Sequence, residues 1–205
     1  MAHVITVAGR KGGTGKTVLS HSLAHGLGLH GIATVMVTTD PDREILPSDS
    51  RRYLTQDGRD PARLVELLAR VEGDPQFVVV IDGGGNRPAF DAVLAEASDI
   101  TIVPFTPSAE DIRVLRLDLQ RIPDAYALPN RWPTNAMAKK VADGLLAQRL
   151  AEFRGRMMNP MPSVNALTTL VDEGLPSSSI GPACKGFALR ILERMGLSLF
   201  DFRTA

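Results

Sequence analysis

Apolar runs of five or six residues alternate along this chain with segments whose apolar residues recur at helical spacing. The clearest runs are residues 33–38, 77–81 and 100–105, which hold no charged side chain. Short uninterrupted runs of this kind are typical of strands that are buried on both faces. Because helical patterns separate the runs, they predict an α/β fold, with a mostly parallel twisted sheet and helices on both faces.

Weaker signals complete the pattern. Residues 43–60 are polar and irregular, and they predict a loop or a short helix. Ser108 is the predicted cap of a helix at 109–121, and Thr134 has the same role for a helix at 134–153. Further strands are predicted at 4–8, 125–128 and 157–161, and further helices at 18–29, 61–71, 88–97, 163–173 and 182–195.

The totals limit both the fold and its chemistry. A chain of 205 residues suits one domain, and we expect residues 1–205 to form it. Positive and negative side chains balance at 23 each, so net charge identifies no partner. The lone cysteine, Cys184, excludes an internal disulfide and a cysteine-based metal cluster within one chain. The start of the chain does not resemble a signal peptide and no apolar run is long enough to span a membrane, so we expect a cytoplasmic protein.

The strongest chemical signal is the stretch 10–17, Arg-Lys-Gly-Gly-Thr-Gly-Lys-Thr, between the first strand and the first helix. A strand, a glycine-rich turn and a helix in this order are typical of a phosphate-binding loop. The glycines let main-chain N–H groups converge on phosphate oxygens at the positive end of the helix. Lys16 can reach the terminal phosphates, and the Thr17 hydroxyl can bind Mg²⁺. The predicted nucleotide-binding residues of the loop are Gly12, Gly13, Thr14, Gly15, Lys16 and Thr17.

Asp82 supplies a second part of a nucleotide site. It ends the apolar run at 77–81, and an acidic residue at the end of a buried strand is the Walker B arrangement that holds Mg²⁺. Thr17 and Asp82 are therefore the predicted metal ligands. Three glycines at 83–85 follow, which suits a loop that changes conformation with the γ-phosphate.

The phosphate loop departs from the simple Walker form, since position 10 is Arg and a second lysine, Lys11, precedes the glycines. Residues 11–17 resemble the deviant Walker A motif of the ParA/MinD superfamily, and the chain is most similar to its small ParF-like plasmid-partition ATPases. The resemblance implies a P-loop ATPase that binds ATP or ADP with Mg²⁺, in which Lys11 reaches the nucleotide of a second subunit. It makes Lys11, Lys16 and Asp40 the predicted catalytic residues. Without the family context, Lys11 would be a solvated loop lysine.

Asp40 and Asn130 take their roles from the same resemblance. Asp40 follows the second strand at the carboxyl edge of the sheet, and it matches the switch I aspartate that positions the attacking water. Its neighbours depart from the family pattern, with Thr38 in place of an aspartate and Asp42 in place of a glutamine. Asn130 matches the residue that reads adenine, whose N6/N7 edge an Asn amide can pair with. The alternatives are an Asp-Pro turn at Asp40 and an ordinary loop residue at Asn130.

The resemblance also implies partners. ParA-type dimers bind DNA without sequence preference through basic residues of the C-terminal half. Here residues 113–156 hold nine Lys and Arg against four Asp and Glu, and Lys185, Arg190 and Arg194 extend the set. We expect an ATP-state homodimer, non-specific DNA, and a ParB-like or cargo-adaptor protein that stimulates hydrolysis, in a nucleoid-associated cycle that partitions a plasmid or other large cargo. The alternative for each arginine is a solvated position on a helix.

Two other functions stay open. A MinD-like ATPase would bind membranes through its tail, but in residues 189–202 acidic side chains dilute the positive charge and Gly196 interrupts the helix, so a membrane partner is not favoured. An ATP-dependent ligase of the same superfamily would need a substrate pocket with its own convergent polar groups. The sequence reveals no such group of residues.

Overall fold

Six strands form one parallel sheet in the computed structural model, which describes residues 1–45, 51–85, 87–163, 166–172 and 178–202. The strands are β1 (His3–Val7), β2 (Ala33–Thr38), β3 (Leu54–Asp57), β4 (Phe77–Asp82), β5 (Ile100–Phe105) and β6 (Tyr126–Pro129). Their order across the sheet is β3-β2-β4-β1-β5-β6, and every neighbouring pair is parallel.

Helices cover both faces of the sheet, and the predicted fold class is thereby confirmed. The α-helices are α1 (Lys16–Leu29), α2 (Pro61–Val71), α3 (Pro88–Glu96), α4 (Ala109–Arg121), α5 (Ala136–Arg149), α6 (Leu167–Asp172) and α7 (Gly181–Arg194). Short 3₁₀ segments occupy Ala151–Arg156, Ser178–Ile180 and Leu199–Phe202. Within the described part of the chain, no helix is both long and apolar enough to cross a membrane.

Alternate residues of the central strand β4 pack into two apolar layers, one on each face of the sheet. Val78 and Val80 of β4 pack with α1 and α7, while Val79 and Ile81 pack with α2 and α3. Helices α4 and α5 extend the second layer over β5 and β6. This two-sided burial explains why the central strands are continuous apolar runs rather than alternating ones.

The register of the sheet determines where the functional loops begin. In the ladders of β4, Asp82 is level with Val7 of β1 and with Thr38 of β2. Since these three strands are parallel, the segments that follow them start side by side at the carboxyl edge, where ligands bind in sheets of this type.

Residues 43–60 contain a strand that the sequence pattern does not reveal. β3 pairs with β2 at the edge of the sheet, and its residues are Leu-Thr-Gln-Asp. None of them is buried, and Leu54 is 56% exposed. An edge strand has one partner and tolerates polar side chains, so this strand lacks the apolar run that marks the others. Residues 46–50, which include Pro47, lie outside the described residues.

The cap of α5 is Asn135 rather than the predicted Thr134. Its Oδ1 accepts hydrogen bonds from the N–H groups of Met137 and Ala138, at 3.0 and 3.2 Å. The helix ends at Arg149 and a 3₁₀ segment follows, so the single predicted helix is two elements. Asn and Thr are both good caps. Because the two candidates are adjacent, the prediction misses the start of the helix by one residue.

The strand predicted at 157–161 is wrong. Isolated bridges join Met157 to Ala127 and Pro162 to Trp132, without a ladder between them. The segment therefore runs beside β6 without becoming a seventh strand of the described sheet.

The structure describes the predicted Ser108 cap and part of the helix predicted at 163–173. The Ser108 cap is confirmed, because its Oγ accepts a hydrogen bond from the Asp111 N–H at 3.0 Å. Of the helix predicted at 163–173, the described part is α6. Residues 164, 165 and 173–177, including Gly174, lie outside the described residues.

Gly26 of α1 lies where the backbone of α7 packs closely against it. A Cβ at Gly26 would overlap the Cys184 carbonyl oxygen, whereas a Cβ at Gly144 in α5 has no neighbour within 4 Å. We expect Gly26→Ala to lower the free energy of unfolding by roughly 2–3 kcal/mol, because the packed backbone must move. Gly144→Ala should raise it by up to about 1 kcal/mol, since alanine favours a helix. Urea unfolding measures both, and equal effects at the two glycines would contradict the close packing.

Candidate nucleotide-binding site

The phosphate loop, residues 8–15, joins β1 to α1 at the carboxyl edge of the sheet. Gly13 and Gly15 have φ angles of 78° and 95°, a left-handed conformation that most other residues adopt only with strain. At Gly15 a Cβ would also overlap the amide nitrogen of Asn130. Two of the three predicted loop glycines are therefore required by the geometry of the loop.

Side-chain donors hold three carbonyl groups of this loop. Lys16 Nζ donates to the Lys11 carbonyl at 2.9 Å, and Asn130 Nδ2 donates to the Thr14 carbonyl at 2.8 Å. Arg131 Nη1 donates to the Gly13 carbonyl at 3.2 Å. Three carbonyls of the loop, those of Lys11, Gly13 and Thr14, are thus paired with protein donors.

The main-chain N–H groups in the later part of the same loop have no hydrogen-bond acceptor among the described residues. Those of residues 11–15 donate no hydrogen bond to any described residue. Gly15 caps α1 without a side-chain hydrogen bond, so no side chain competes for the start of the helix. Unpaired N–H groups that converge at a helix N-terminus bind phosphate groups, as the sequence predicts for this stretch.

Arg10 fixes the start of the loop to α4, a contact that the sequence interpretation misses. Its Nε lies 2.5 Å from Asp118 Oδ1, and its N–H donates to Asp118 Oδ2 at 3.2 Å. The Asp118 side chain is only 5% exposed. A buried carboxylate that accepts from both the side chain and the main chain of one residue holds that residue firmly.

Lys16 lies among several carboxylates. It is 8% exposed, and burial lowers the pKa of its ammonium group. The charges of Asp82, Asp91 and Asp40 oppose this shift, in decreasing order. Lys16 is therefore the cation around which the acidic residues of the site are arranged.

Thr17 and Asp82, the predicted metal ligands, lie together. Asp82 is fully buried; its Oδ1 accepts from the Ser20 hydroxyl at 3.1 Å, and its Oδ2 accepts nothing from the described residues. Burial raises its pKa to about 6, while the hydroxyls of Thr17 and Ser20 partly oppose the shift. A buried carboxylate oxygen without a partner, beside a hydroxyl, fits Mg²⁺, which binds one or two protein groups and completes its shell with phosphates and water. In the described parts of the chain no three His, Cys, Asp or Glu side chains come together as a metal site.

Asp40 lies at the same edge, between the ends of β2 and β4. Its Oδ1 accepts from the Asp42 N–H at 3.1 Å, and its Oδ2 is 3.9 Å from Arg43 Nε. The carboxylate thus makes the local turn, yet it remains 24% exposed. The adjacent Thr39 hydroxyl donates to the Asp82 carbonyl and accepts from the Gly84 N–H, which joins the two strand ends. The hydrolytic role of Asp40 stays a prediction.

Asn130 lies against the phosphate loop, where its Nδ2 is used by the Thr14 carbonyl. A cavity of about 130 Å³ opens beside it, walled by Leu19, Met161 and Pro162 among others. Its walls combine these apolar side chains with polar ones such as Arg131 and Thr168, and a slot of this kind next to a phosphate loop suits a nucleotide base. Contact between Asn130 and adenine stays a prediction, and in this geometry it would have to leave the Thr14 bond intact or replace it.

The chain is similar in sequence to a known protein family. A model of the CobQ/CobB/MinD/ParA nucleotide-binding domain family matches residues 5–177. The chain belongs to this family. The match includes the phosphate loop, Asp40, Asp82 and Asn130, and it confirms the predicted ParA/MinD superfamily.

Solved structures of the family's fold resemble the whole chain. Apo McdA from Cyanothece has a TM-score of 0.69 at 13% identity, covering 95% of this chain and 99% of its own. MinD from Aquifex aeolicus has 0.70 at 16%, covering 96% and 98%. Cobyrinic acid a,c-diamide synthase from Mycobacterium smegmatis, with bound ADP and magnesium, has 0.64 at 19%, covering 95% and 94%. No curated protein sequence matches the chain.

Nucleotide and metal ligands recur among these structures. The synthase contains ADP and magnesium, and a second McdA structure from Cyanothece contains ATP. The predicted cofactors of this chain, ATP or ADP with Mg²⁺, are therefore those of its structural neighbours.

The three residues proposed to contact DNA differ in their surroundings. Arg190 Nη1 donates to the Asn159 carbonyl at 3.2 Å, and Arg194 lies over the Tyr126 ring at 4.4 Å from its centroid. Arg190 thus attaches α7 to the segment beside β6, and Arg194 attaches it to β6 itself. Lys185 is exposed and makes no ion pair with a described residue.

Asp91 is a member of the site that sequence interpretation misses. It lies in the first turn of α3, is 2% exposed, and accepts no hydrogen bond of normal geometry from the described residues. Burial raises its pKa to about 6; the nearby Gly9 N–H and Lys16 oppose the shift, and Asp118 adds to it. These surroundings disfavour the ionised form of the carboxyl group relative to water, so its ionisation above about pH 6 costs stability.

Asp91→Asn should therefore stabilise the fold at neutral pH. Because the folded-state pKa lies above the ordinary value, ionisation costs stability, and the cost develops as pH rises from about 4 to about 6. We expect the variant to gain about 2 kcal/mol of unfolding free energy near pH 7.5 and almost none near pH 4. Urea unfolding at both pH values tests this, with the exposed Asp124→Asn as control. A gain that is equal at the two pH values would exclude the titration of Asp91 as its cause.

Proposed function

We propose that this chain is an ATPase switch that dimerises with ATP, binds DNA without sequence preference, and positions a plasmid or another large body. The cycle runs in the cytoplasm at the nucleoid, and a ParB-like or cargo-adaptor protein accelerates hydrolysis. The observation that carries the proposal is Lys11, an additional lysine at the tip of the phosphate loop, whose ammonium group makes no hydrogen bond or ion pair with a described residue.

The arrangement of Lys11 supports a role outside its own subunit. Its carbonyl is held by Lys16, which fixes the main chain, while its Nζ makes no hydrogen bond or ion pair with a described residue. The adjacent Gly12 and Gly13 are exposed, so the loop tip is open to a second subunit. A lysine placed in this way can add its charge to the phosphates of a partner's nucleotide.

Hydrolysis would use the residues that meet at the sheet edge. Mg²⁺, when bound by Thr17 and Asp82, would neutralise charge on the phosphates. Lys16 would exchange the Lys11 carbonyl for phosphate oxygens, and Asp40 would orient the attacking water. Because Lys11 must arrive from another subunit, a single subunit is expected to turn over ATP slowly.

DNA binding with and without nucleotide is the decisive test. We expect the wild-type protein to bind DNA with ATP but not with ADP, with an affinity that falls steeply as salt rises. Lys11→Ala should lose this binding while it still binds nucleotide, because its own loop amides and Lys16 remain. Arg63→Ala, which removes an exposed cation from α2, is the matched control. No DNA binding in any nucleotide state would overturn the proposal.

The different contacts of Lys185 and Arg190 predict different effects of their substitution. Lys185→Ala should weaken ATP-dependent DNA binding several-fold and reduce its salt dependence, since a free surface cation is lost. Arg190→Ala should instead lower the thermal midpoint, because its guanidinium joins α7 to the Asn159 carbonyl. Fluorescence anisotropy and thermal denaturation separate the effects. If both variants are stable and lose the same DNA affinity, Arg190 also binds DNA despite its contacts within the protein.

A ligase function is the second candidate, favoured by one cavity. It has a volume of about 220 Å³ beside Thr17, and its walls include Thr38, Arg43 and Arg51. The half-exposed guanidinium of Arg43, on the side of this cavity, suits a small carboxylate that would react with ATP, whereas Arg51 donates to the Leu170 carbonyl. Acceleration of ADP release by short dicarboxylates, lost in Arg43→Gln, would favour this function over the switch.

The membrane alternative gains no support from the tail. Ile191 and Leu192 are buried in the core, and Met195, Leu197 and Leu199 pack against it. These five apolar side chains are used inside the protein, whereas Phe200 and Leu189 are exposed, at 74% and 41%, and do not form a continuous apolar face with them.

A further inference from the structure

Arg131 has an unusual backbone conformation. Its φ is 53°, and it is the only residue other than glycine with a positive φ among those described. Glycine, asparagine and aspartate adopt this left-handed region easily, whereas a long side chain does so with strain. Strain of this kind at a nucleotide site is a reason to ask what the side chain does there.

The side chain of Arg131 reaches back to the phosphate loop. Its Nη1 donates to the Gly13 carbonyl at 3.2 Å, and no described carboxylate pairs with its guanidinium. Gly13 itself is exposed at the loop tip. The loop therefore has an uncompensated positive charge at its outer side, in addition to the buried Lys16.

The left-handed turn is what directs this side chain. β6 ends at Pro129, Asn130 turns inward to the Thr14 carbonyl, and Arg131 follows at the surface. Arg131 also lines the cavity of about 130 Å³ that lies next to the loop. One turn after one strand thus supplies two donors to the loop, a buried amide and an exposed cation.

We propose that Arg131 is a positioning residue for the phosphates of the bound nucleotide. It holds the Gly13 carbonyl away from the anion site and adds positive charge to the loop, at the cost of a strained backbone. The inference rests on nucleotide binding at this loop, which is part of the proposed function. It predicts that loss of the charge at this position lowers nucleotide affinity, and that relief of the backbone strain, as a separate effect, raises stability.

Three substitutions separate charge from strain. Arg131→Gln keeps the strain and removes the charge, Arg131→Asn removes both, and Arg131→Lys keeps strain and charge without the planar donor group. We expect ADP to bind about tenfold more weakly to the Gln and Asn variants, and less than tenfold more weakly to the Lys variant. The thermal midpoint should rise only in Arg131→Asn. Calorimetric titration with Mg²⁺-ADP and thermal denaturation give both quantities, and the loss of affinity should shrink at high salt.

The controls distinguish the possible failures. Arg149→Gln removes an exposed cation of the same kind far along the chain on α5, and it should leave ADP affinity unchanged. If the wild-type protein binds no nucleotide, the proposed function fails rather than the role of Arg131. If the wild type binds ADP but Arg131→Gln and Arg131→Asn bind it equally well, or if Arg149→Gln is equally impaired, the proposal for Arg131 is overturned.

Discussion

Every peptide unit that offers an N–H group to a phosphate also carries a carbonyl oxygen that must face elsewhere. In this protein two distant donors, Asn130 and Arg131 just after β6, hold the carbonyls of Thr14 and Gly13, while the nearby Lys16 donates to that of Lys11. The loop sequence therefore cannot form the site alone. It needs β5 and β6 beside β1 in the sheet, so that the chain around residue 130 returns to a loop more than a hundred residues earlier.

The same dependence explains the buried acids of α3 and α4. Asp118 accepts from Arg10 and so fixes the entry to the loop, while Asp91 lies near Lys16 without a hydrogen bond of its own. Together with Asp82 they surround a lysine whose burial alone would favour its neutral form. Nucleotide phosphates would enter a site where positive charge is concentrated at the loop and negative charge lies behind it. Such a site is expected to bind the phosphates only when Mg²⁺ neutralises part of their charge.

The sequence predicts this site as far as local pattern and parallel topology allow. Asp40 and Asp82 follow apolar runs, and parallel strands carry such residues to one edge, where both are found. β3 has no apolar run because it is an edge strand, so its pattern is that of a loop. Asp118 had a detectable signal, since it lies three residues after Leu115 on the apolar side of α4, where a charged residue needs a partner. Arg131 had none, because a positive φ at a non-glycine residue follows from tertiary contacts and leaves no mark in composition or spacing.

Charge counting along the sequence finds a basic C-terminal half, but it does not distinguish cations that bind the protein itself from cations that are free. Arg113, Arg116 and Lys139 pair with carboxylates, and Arg156, Arg190 and Arg194 donate to main-chain carbonyls. Few exposed cations then remain for a polyanion, chiefly Lys185 with Lys140, Arg149 and Arg154. In a chain whose charges balance overall, so small a set is expected to give a single subunit only weak affinity for DNA. Two copies held together by nucleotide would double it, and because the electrostatic affinity for DNA grows exponentially with the number of phosphate contacts, dimerisation alone can make DNA binding depend on ATP. No change of shape within the subunit is then needed to explain the switch.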